Sequence, residues 1–156
     1  MSEYQAMLGE MGELLDLPNV RVTGLERQGS QVIRLRVVST SEAGVCPGCG
    51  KPSVKVHDVG VEVLIRDLPM WAKSCWLKYV PRRYECEGCE KTFVERVGWK
   101  AAELNYTLRY EAHVYERCRR ESMKDVARDE RLSEDIVTSI FERWAKKTLS
   151  NAAIQV

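Results

Sequence analysis

The sequence predicts an α+β protein of 156 residues with three consecutive parts. Two cysteine pairs enclose a region of short alternating segments, whereas the last third changes to the spacing of amphipathic helices. We expect an N-terminal helix and β-hairpin over residues 1–44. A cysteine-centred β domain follows over residues 45–100, and a three-helix domain occupies residues 101–156.

The composition is that of a folded protein without a membrane span. Apolar residues make up 44% of the chain and charged residues 30%, and no segment approaches the roughly 20 apolar residues that cross a bilayer. The N-terminus carries acidic residues and no basic segment, so it does not have the pattern of a signal peptide. These features predict a cytoplasmic protein with no membrane partner, and in that compartment cysteines more often bind metals than form disulfides. The net charge of +1 gives no evidence for or against nucleic acid.

The first 44 residues predict a helix followed by two paired strands. Apolar side chains recur at helical spacing over residues 3–15, and Pro18 ends that helix. Val20–Leu25 and Val32–Val38 alternate, and polar turn residues with a glycine separate them. A β-hairpin follows from this pattern.

Short strands are predicted between and after the cysteine pairs. Val54–His57 and Val61–Ile65 have strand character, and the sequence Asp67-Leu68-Pro69 is expected to interrupt it. Cys75–Tyr84 is predicted as one longer strand, and Thr92–Arg96 as the last.

The cysteine spacing indicates a metal site. Cys46 and Cys49 form one C-x-x-C pair, and Cys86 and Cys89 form a second. Zn²⁺ binds four thiolates in a tetrahedron at about 2.3 Å, and a C-x-x-C turn directs two sulfurs at one ion. Glycines in both turns permit the backbone angles that such a turn requires.

Two other uses of the cysteines fit less well. A redox dithiol needs one C-x-x-C beside a βαβ unit, and no such unit is visible. An iron–sulfur cluster also takes four cysteines, but the glycine-rich turns and flanking strands favour zinc. Because four thiolates leave no open coordination position, we predict structural Zn²⁺ in a zinc ribbon and no catalytic metal.

The last third predicts a helix-turn-helix. Helices are expected at Tyr106–Arg119, Ser122–Asp129 and Ser133–Lys147, with Ala127 at the close contact between the second and third. Ser133 has the character of an N-cap. The turn has Arg131 where a glycine would favour a left-handed backbone.

In a helix-turn-helix, the N-terminal residues of the third helix enter the major groove of DNA. Thr138 and Ser139 occupy outward positions in that part of the helix, so they are the candidate base contacts. Basic side chains are the candidate phosphate contacts: Lys124, Arg128, Arg131, Arg143, Lys146, Arg82 and Arg83. The acidic residues Glu134 and Asp135 repel phosphates, so a plain three-helix bundle with a solvated charged face stays open as an alternative.

The order of the motifs resembles a known family. Ile65-Arg66-Asp67-Leu68-Pro69 precedes Arg82-Arg83-Tyr84-Glu85-Cys86, and Lys91-Thr92-Phe93 leads to the helix-turn-helix. This order resembles the N-terminal region of the transposases of the L-three family of bacterial insertion sequences.

The resemblance implies that these parts recognise the terminal inverted repeats of an element. In that family a later RNase H-like domain performs the chemistry. Because the chain ends at Val156, we expect DNA binding without nuclease activity. Candidate partners are double-stranded DNA, a transposase catalytic subunit and a second copy of the chain, in the nucleoid of a bacterium or archaeon. The alternatives are a zinc-ribbon adaptor for proteins and a transcriptional repressor.

Overall fold

A computed structural model describes residues 2–101 and 104–154. It has the predicted mixed α+β character, with a helix first, strands in the middle and helices last. The chain forms two compact units, Met1–Thr107 and Leu108–Val156. Within the described ranges, no helix has both the length and the apolar character needed to cross a membrane.

The first unit contains one helix and nine strands among its described residues. In chain order they are α1 Glu3–Leu15, β1 Val20–Gln28, β2 Val32–Ser39, β3 Gly44–Val45, β4 Pro52–Ser53, β5 Val56–Val59, β6 Val63–Met70, β7 Lys73–Tyr79, β8 Arg82–Cys86 and β9 Lys91–Val94. The second unit contains α2 Leu108–Cys118, α3 Met123–Glu130 and α4 Glu134–Ile154.

A four-stranded sheet has the order β1-β2-β7-β6. β1 and β2 form the predicted antiparallel hairpin, with Gly29 in its turn at φ 64°. β7 runs parallel to β2, and β6 pairs antiparallel with β7 at the edge. Strands from the segment between the two cysteine pairs therefore share a sheet with the N-terminal hairpin, and the predicted boundary at residues 44 and 45 lies inside one compact unit.

One face of this sheet forms the main core. Alternate residues of β2 and β7 point to the same side, because successive strand residues point to opposite faces. The buried residues are Ile33, Leu35, Val37, Cys75, Leu77 and Tyr79, and Leu8, Met11 and Leu15 of α1 pack with them. The Ser2 side chain caps α1 in a capping box with Gln5.

Two strand predictions were wrong, and proline explains both differences. Cys75–Tyr84 was predicted as one strand, but it divides at Val80 and Pro81 into β7 and β8, which belong to different sheets. Pro81 lacks an N–H and cannot continue the ladder. Conversely, β6 continues through Pro69 to Met70, because it is an edge strand with an irregular register at this point.

The remaining strands form the ribbon around the cysteines. β3 pairs with β4, and β5, β8 and β9 form an antiparallel sheet in the order β5-β8-β9. Each cysteine pair lies at the turn of a hairpin. Cys46 and Cys49 lie between β3 and β4, and Cys86 is the last residue of β8, with Cys89 in the turn that follows.

The apolar spacing of the last two helices predicts Val126, Ala127, Ile136, Val137 and Ile140 on their inner faces. All of these are buried except Ile136, which is partly buried. The inner face of α2 was expected to consist of Leu108, Ala112 and Tyr115, which are only partly buried. Its buried residues are Tyr110, Glu111 and Val114, because this face includes a polar position that apolar spacing alone does not reveal.

Candidate metal centre and candidate DNA-binding helices

The two cysteine turns have the same backbone geometry. Gly50 N–H donates to the Cys46 carbonyl at 2.8 Å, and Glu90 N–H donates to the Cys86 carbonyl at 2.8 Å. Both donors have a left-handed backbone, with φ 75° at Gly50 and φ 56° at Glu90. The left-handed residue reverses the chain after each pair and brings both sulfurs to the same side.

The four sulfurs converge as a tetrahedral ion requires. All four Sγ atoms lie within 4.8 Å of one another. The Cys49 and Cys86 sulfurs are 3.5 Å apart, and those of Cys46 and Cys89 are 4.0 Å apart. A tetrahedron with Zn–S bonds of about 2.3 Å has S···S edges of about 3.8 Å. The cysteines therefore fit Zn²⁺ in both number and size.

The thiols differ in how easily they lose a proton. Backbone hydrogen bonds, first from Cys49 and also from Gly48, lower the pKa of Cys46 to about 7. Hydrogen bonds from the neighbouring thiols, Cys49 first, raise the pKa of Cys89 to about 12. Loss of the proton from Cys46 is thus favoured, whereas loss of a second proton from Cys89 beside it is disfavoured unless a cation balances the negative charge. Bound Zn²⁺ supplies that balance and holds the two hairpins together.

Little apolar packing supports this centre. The ribbon core consists of Cys46, Tyr84, Cys86 and Phe93, with Cys89 partly buried against them. The Tyr84 and Phe93 rings stack with centroids 5.8 Å apart. A core of this size does not stabilise a fold without a metal or another crosslink. The Zn²⁺ is therefore structural.

The helical unit has the local geometry of a helix-turn-helix. Ser122 caps α3, and the Ser133 hydroxyl accepts from Ile136 N–H at 3.2 Å at the start of α4. Arg131 ends α3 in a left-handed conformation, φ 56° and ψ 44°. The turn thus adopts the backbone that a glycine would favour, although the residue is an arginine.

Comparison with known families agrees with both sites. Residues 42–89 match a family model described as the zinc-finger of transposase IS204/IS1001/IS1096/IS1165. Residues 95–145 match the helix-turn-helix domain of transposase family ISL3. The chain carries the zinc ribbon and the helix-turn-helix domain of ISL3 transposases. No curated protein and no solved structure was found to match it.

Within the ISL3 helix-turn-helix, the two predicted base-reading residues differ in their surroundings. The Ser139 side chain is exposed. Thr138 is half-buried, and its hydroxyl lies 3.4 Å from the Met123 sulfur of α3. Asp135 and Glu142 are exposed one turn before and after Ser139, so the outer face of α4 is partly acidic.

The predicted phosphate contacts of this domain fall into two groups. Arg128 has carboxylates of Asp125 and Asp129 beside it at 3.1 and 3.3 Å, and Arg143 donates to buried Glu111. Lys124, Arg131 and Lys146 are exposed, and among the described residues no carboxylate lies within 4.0 Å of them. The positive charges of Lys124, Arg131 and Lys146 are therefore not compensated by an ion pair and are available to a phosphate.

The two predicted arginines of the ISL3 zinc ribbon are engaged within the protein. Arg82 donates to the Ser39 hydroxyl at 3.0 Å and to the Ser41 carbonyl at 2.6 Å. Arg83 forms a two-point contact with Asp58. Neither interaction was predicted, because the partners are 25 to 43 residues away in sequence.

Sequence reasoning also missed the two buried carboxylates of the helical unit, Glu111 and Glu130. Glu130 accepts from Tyr110 at 2.8 Å, from His113 at 3.1 Å and from Arg117 at 3.1 Å. Burial raises the pKa of Glu130, but these three donors outweigh it and leave the pKa below its usual value. The one available signal was a glutamate at an inward position of α3, following Val126 by four residues.

Proposed function

We propose that this chain is the DNA-binding region of an insertion-sequence transposase and recognises the terminal inverted repeats of its element. The observation that carries the proposal is the left-handed turn at Arg131, which leads into a helix with Ser139 exposed near its start. The proposal assigns binding, and no nuclease activity, to the two domains. Zn²⁺ acts in it as a structural ion.

In the proposed complex, the first turns of α4 lie in the major groove. Ser139 contacts a base edge, and Thr138 contributes through its methyl group because its hydroxyl faces Met123. Asp135 and Glu134 accept from cytosine N4 and disfavour other bases. In this proposal the acidic side chains make α4 prefer particular DNA sequences, and they weaken its affinity for DNA in general.

Phosphate contacts are proposed for the basic side chains around this helix. Lys124, Arg131 and Lys146 contribute most, since no ion pair competes for them within the described residues. Arg128 and Arg143 exchange part of an internal ion pair for a phosphate. Arg82 and Arg83 contribute least, because each already has an internal partner.

The test is selection of binding sites from a pool of random duplexes with zinc-loaded protein. The expected product is one sequence that also occurs in the inverted repeats flanking the gene. Ser139→Ala should cost about 1–3 kcal/mol on that sequence and relax the preference at one base pair. Ser150→Ala, at an exposed position far along α4, is the matched control and should have no effect.

Salt dependence separates phosphate contacts from base contacts. Lys124→Gln and Lys146→Gln should weaken binding to all duplexes alike, and each should reduce the slope of log K against log salt by about 0.9. A selection that enriches no sequence, with equal weak binding to all duplexes, would refute recognition and favour the adaptor alternative. A selected sequence absent from the flanking repeats would instead support a repressor.

A further inference from the structure

The face of the four-stranded sheet opposite the main core has an unusual set of side chains. Its residues alternate with the buried ones, and the pairing places Arg34 beside Trp76 and Arg36 beside Lys78. Arg21 lies on the same face, opposite Val38. We name this set the basic sheet face: Arg21, Arg34, Arg36, Trp76 and Lys78.

Charge is divided between the two sides of the sheet. The core side is covered by α1, whose exposed positions carry Glu3, Glu10 and Glu13, with Asp16 at its end. The opposite side carries the four cations of the basic sheet face. The near-zero total charge of the chain therefore conceals a positive surface, and a surface of this kind attracts a polyanion.

Internal pairing leaves most of this charge uncompensated. Among the described strand residues of this sheet, Glu26 is the single carboxylate on the same side as the basic sheet face. It accepts from Arg36 at 3.0 Å and from Lys78 at 2.8 Å. These cations, with a hydrogen bond from Lys78 first, lower the pKa of Glu26, so it stays ionised. Arg34 has a buried Nε without a hydrogen-bond partner, and four cations face one anion.

The spacing of the cations suits a phosphate backbone. Arg34 and Arg36 are two residues apart in one strand, which is about 6.6 Å. Phosphates on one DNA strand advance by about 3.4 Å each along the helix axis, so long arginine side chains that start about 6.6 Å apart can reach different phosphates of the same strand. Lys78 extends the same row onto the neighbouring strand, and Trp76 adds a flat surface beside Arg34 with the Arg66 guanidinium 5.3 Å from its ring centroid.

We propose that the basic sheet face binds the phosphate backbone of duplex DNA flanking the sequence read by the helix-turn-helix. This inference rests on the proposed function. It concerns a different surface: Arg21, Arg34 and Arg36 lie outside both segments matched by the family models, and Trp76 and Lys78 lie on β7, in another sheet than the strands next to the cysteines. The sheet thus adds sequence-independent affinity to the specificity of α4.

The experiment compares two duplexes with two double variants. One duplex is restricted to the selected site, and the other extends that site on both sides with mixed sequence. Arg21→Gln with Arg34→Gln removes two cations of the face without breaking the pairs to Glu26. Arg27→Gln with Lys73→Gln is the matched control, because these residues pair with Ile33 and Met70 away from the face.

On the extended duplex, the face variant should reduce the slope of log K against log salt by about 1.8, or 0.9 for each phosphate contact. On the short duplex it should bind like the unaltered protein, and the control should match the unaltered protein on both. Unchanged urea midpoints for both variants establish that the fold is intact.

Other outcomes separate this inference from the proposed function. If both variants keep the slope of the unaltered protein on the extended duplex, the sheet contact is refuted while recognition by α4 stands. If the slope of log K against log salt falls equally for both variants, DNA is attracted by the overall charge of the protein, and the assignment to the basic sheet face is wrong. Absence of any DNA binding would refute the proposed function itself.

Discussion

At the scale of single residues, Gly44 shows how closely the ribbon is packed. A Cβ at this position would lie 2.6 Å from the Tyr84 ring and 3.0 Å from the Phe93 ring. We predict that Gly44→Ala costs about 1–3 kcal/mol, because neither ring can yield in so small a core. Since metal binding and folding are coupled in such a domain, zinc affinity should fall about five- to 150-fold, as measured by chelator competition.

The matched control for this substitution is Gly98→Ala. Gly98 is exposed, and no heavy atom would lie within 4 Å of an added Cβ. Zinc affinity should therefore stay as it is in the unaltered protein. Equal losses in both variants would mean that the effect does not arise from the contact with the two rings.

A second prediction at this scale concerns Glu130. Its pKa in the folded state lies below the usual 4.5. Stability from its ionised form is therefore complete above about pH 4.5 and is lost as the pH falls through the lower, folded-state value. Glu130→Gln should cost about 1–3 kcal/mol at pH 7 and make the acid side of the stability profile shallower. Urea unfolding followed by helical circular dichroism measures both.

Glu116→Gln provides the comparison for Glu130. Glu116 is an exposed partner of Arg119 at 3.2 Å, and exposed pairs contribute about 0–1 kcal/mol. Its acid profile should follow that of the unaltered protein. If Glu130→Gln also followed it, the three donors around Glu130 would not be stabilising the carboxylate.

The zinc ligands and the buried carboxylates differ in how far the sequence predicts them. The cysteines were predictable because each C-x-x-C turn is local and because one ion accounts for all four sulfurs. The burial of Glu111 and Glu130 was not, since their partners come from other helices and a carboxylate is ordinarily exposed. The restraint of Arg82 by Ser39 and Ser41 depends likewise on a contact between strands distant in sequence.

At the scale of elements, the turn between β6 and β7 is strained. Trp71 and Ala72 both have positive φ, 48° and 61°, as a type I′ turn requires and as side chains with a Cβ disfavour. Ala72→Gly should therefore stabilise the protein by about 0.5–1 kcal/mol after the added freedom of the unfolded chain is subtracted. Ala6→Gly in the exposed face of α1 should instead cost about 1 kcal/mol. Urea midpoints that shift in the same direction would contradict this account of the turn.

Element predictions failed where strand alternation met proline. The alternation that begins at Cys75 and Leu77 was extended past Tyr79 to Tyr84, and periodicity cannot reveal that Pro81 transfers the chain to another sheet. At Pro69 the same residue type was given too much weight, because its effect depends on whether the strand lies at an edge. The three C-terminal helices were closer to prediction, since their caps at Ser122 and Ser133 are local signals.

At the scale of the whole molecule, the first unit has two cores of unequal strength. The four-stranded sheet and α1 bury eleven residues in one cluster, including Leu35, Ile65 and Leu77 at full burial, and Trp99 is the twelfth member. The ribbon cluster has four, of which two are zinc ligands. The first core contains enough apolar surface to persist alone, whereas the second depends on the metal.

Removal of zinc should therefore unfold part of the molecule only. With a strong chelator, we expect β8, β9 and both cysteine turns to lose protection from amide hydrogen exchange, while β1, β2 and β7 and the helices of the second unit keep theirs. Exchange followed by mass spectrometry on proteolytic fragments resolves these segments. Readdition of Zn²⁺ should restore protection, whereas Mg²⁺ should not, because thiolates are poor ligands for a hard cation.

Loss of protection throughout the first unit would show that the Tyr79–Glu95 hydrogen bond and Trp99 packing make the two cores one cooperative structure. Full protection without metal would remove the structural role assigned to zinc.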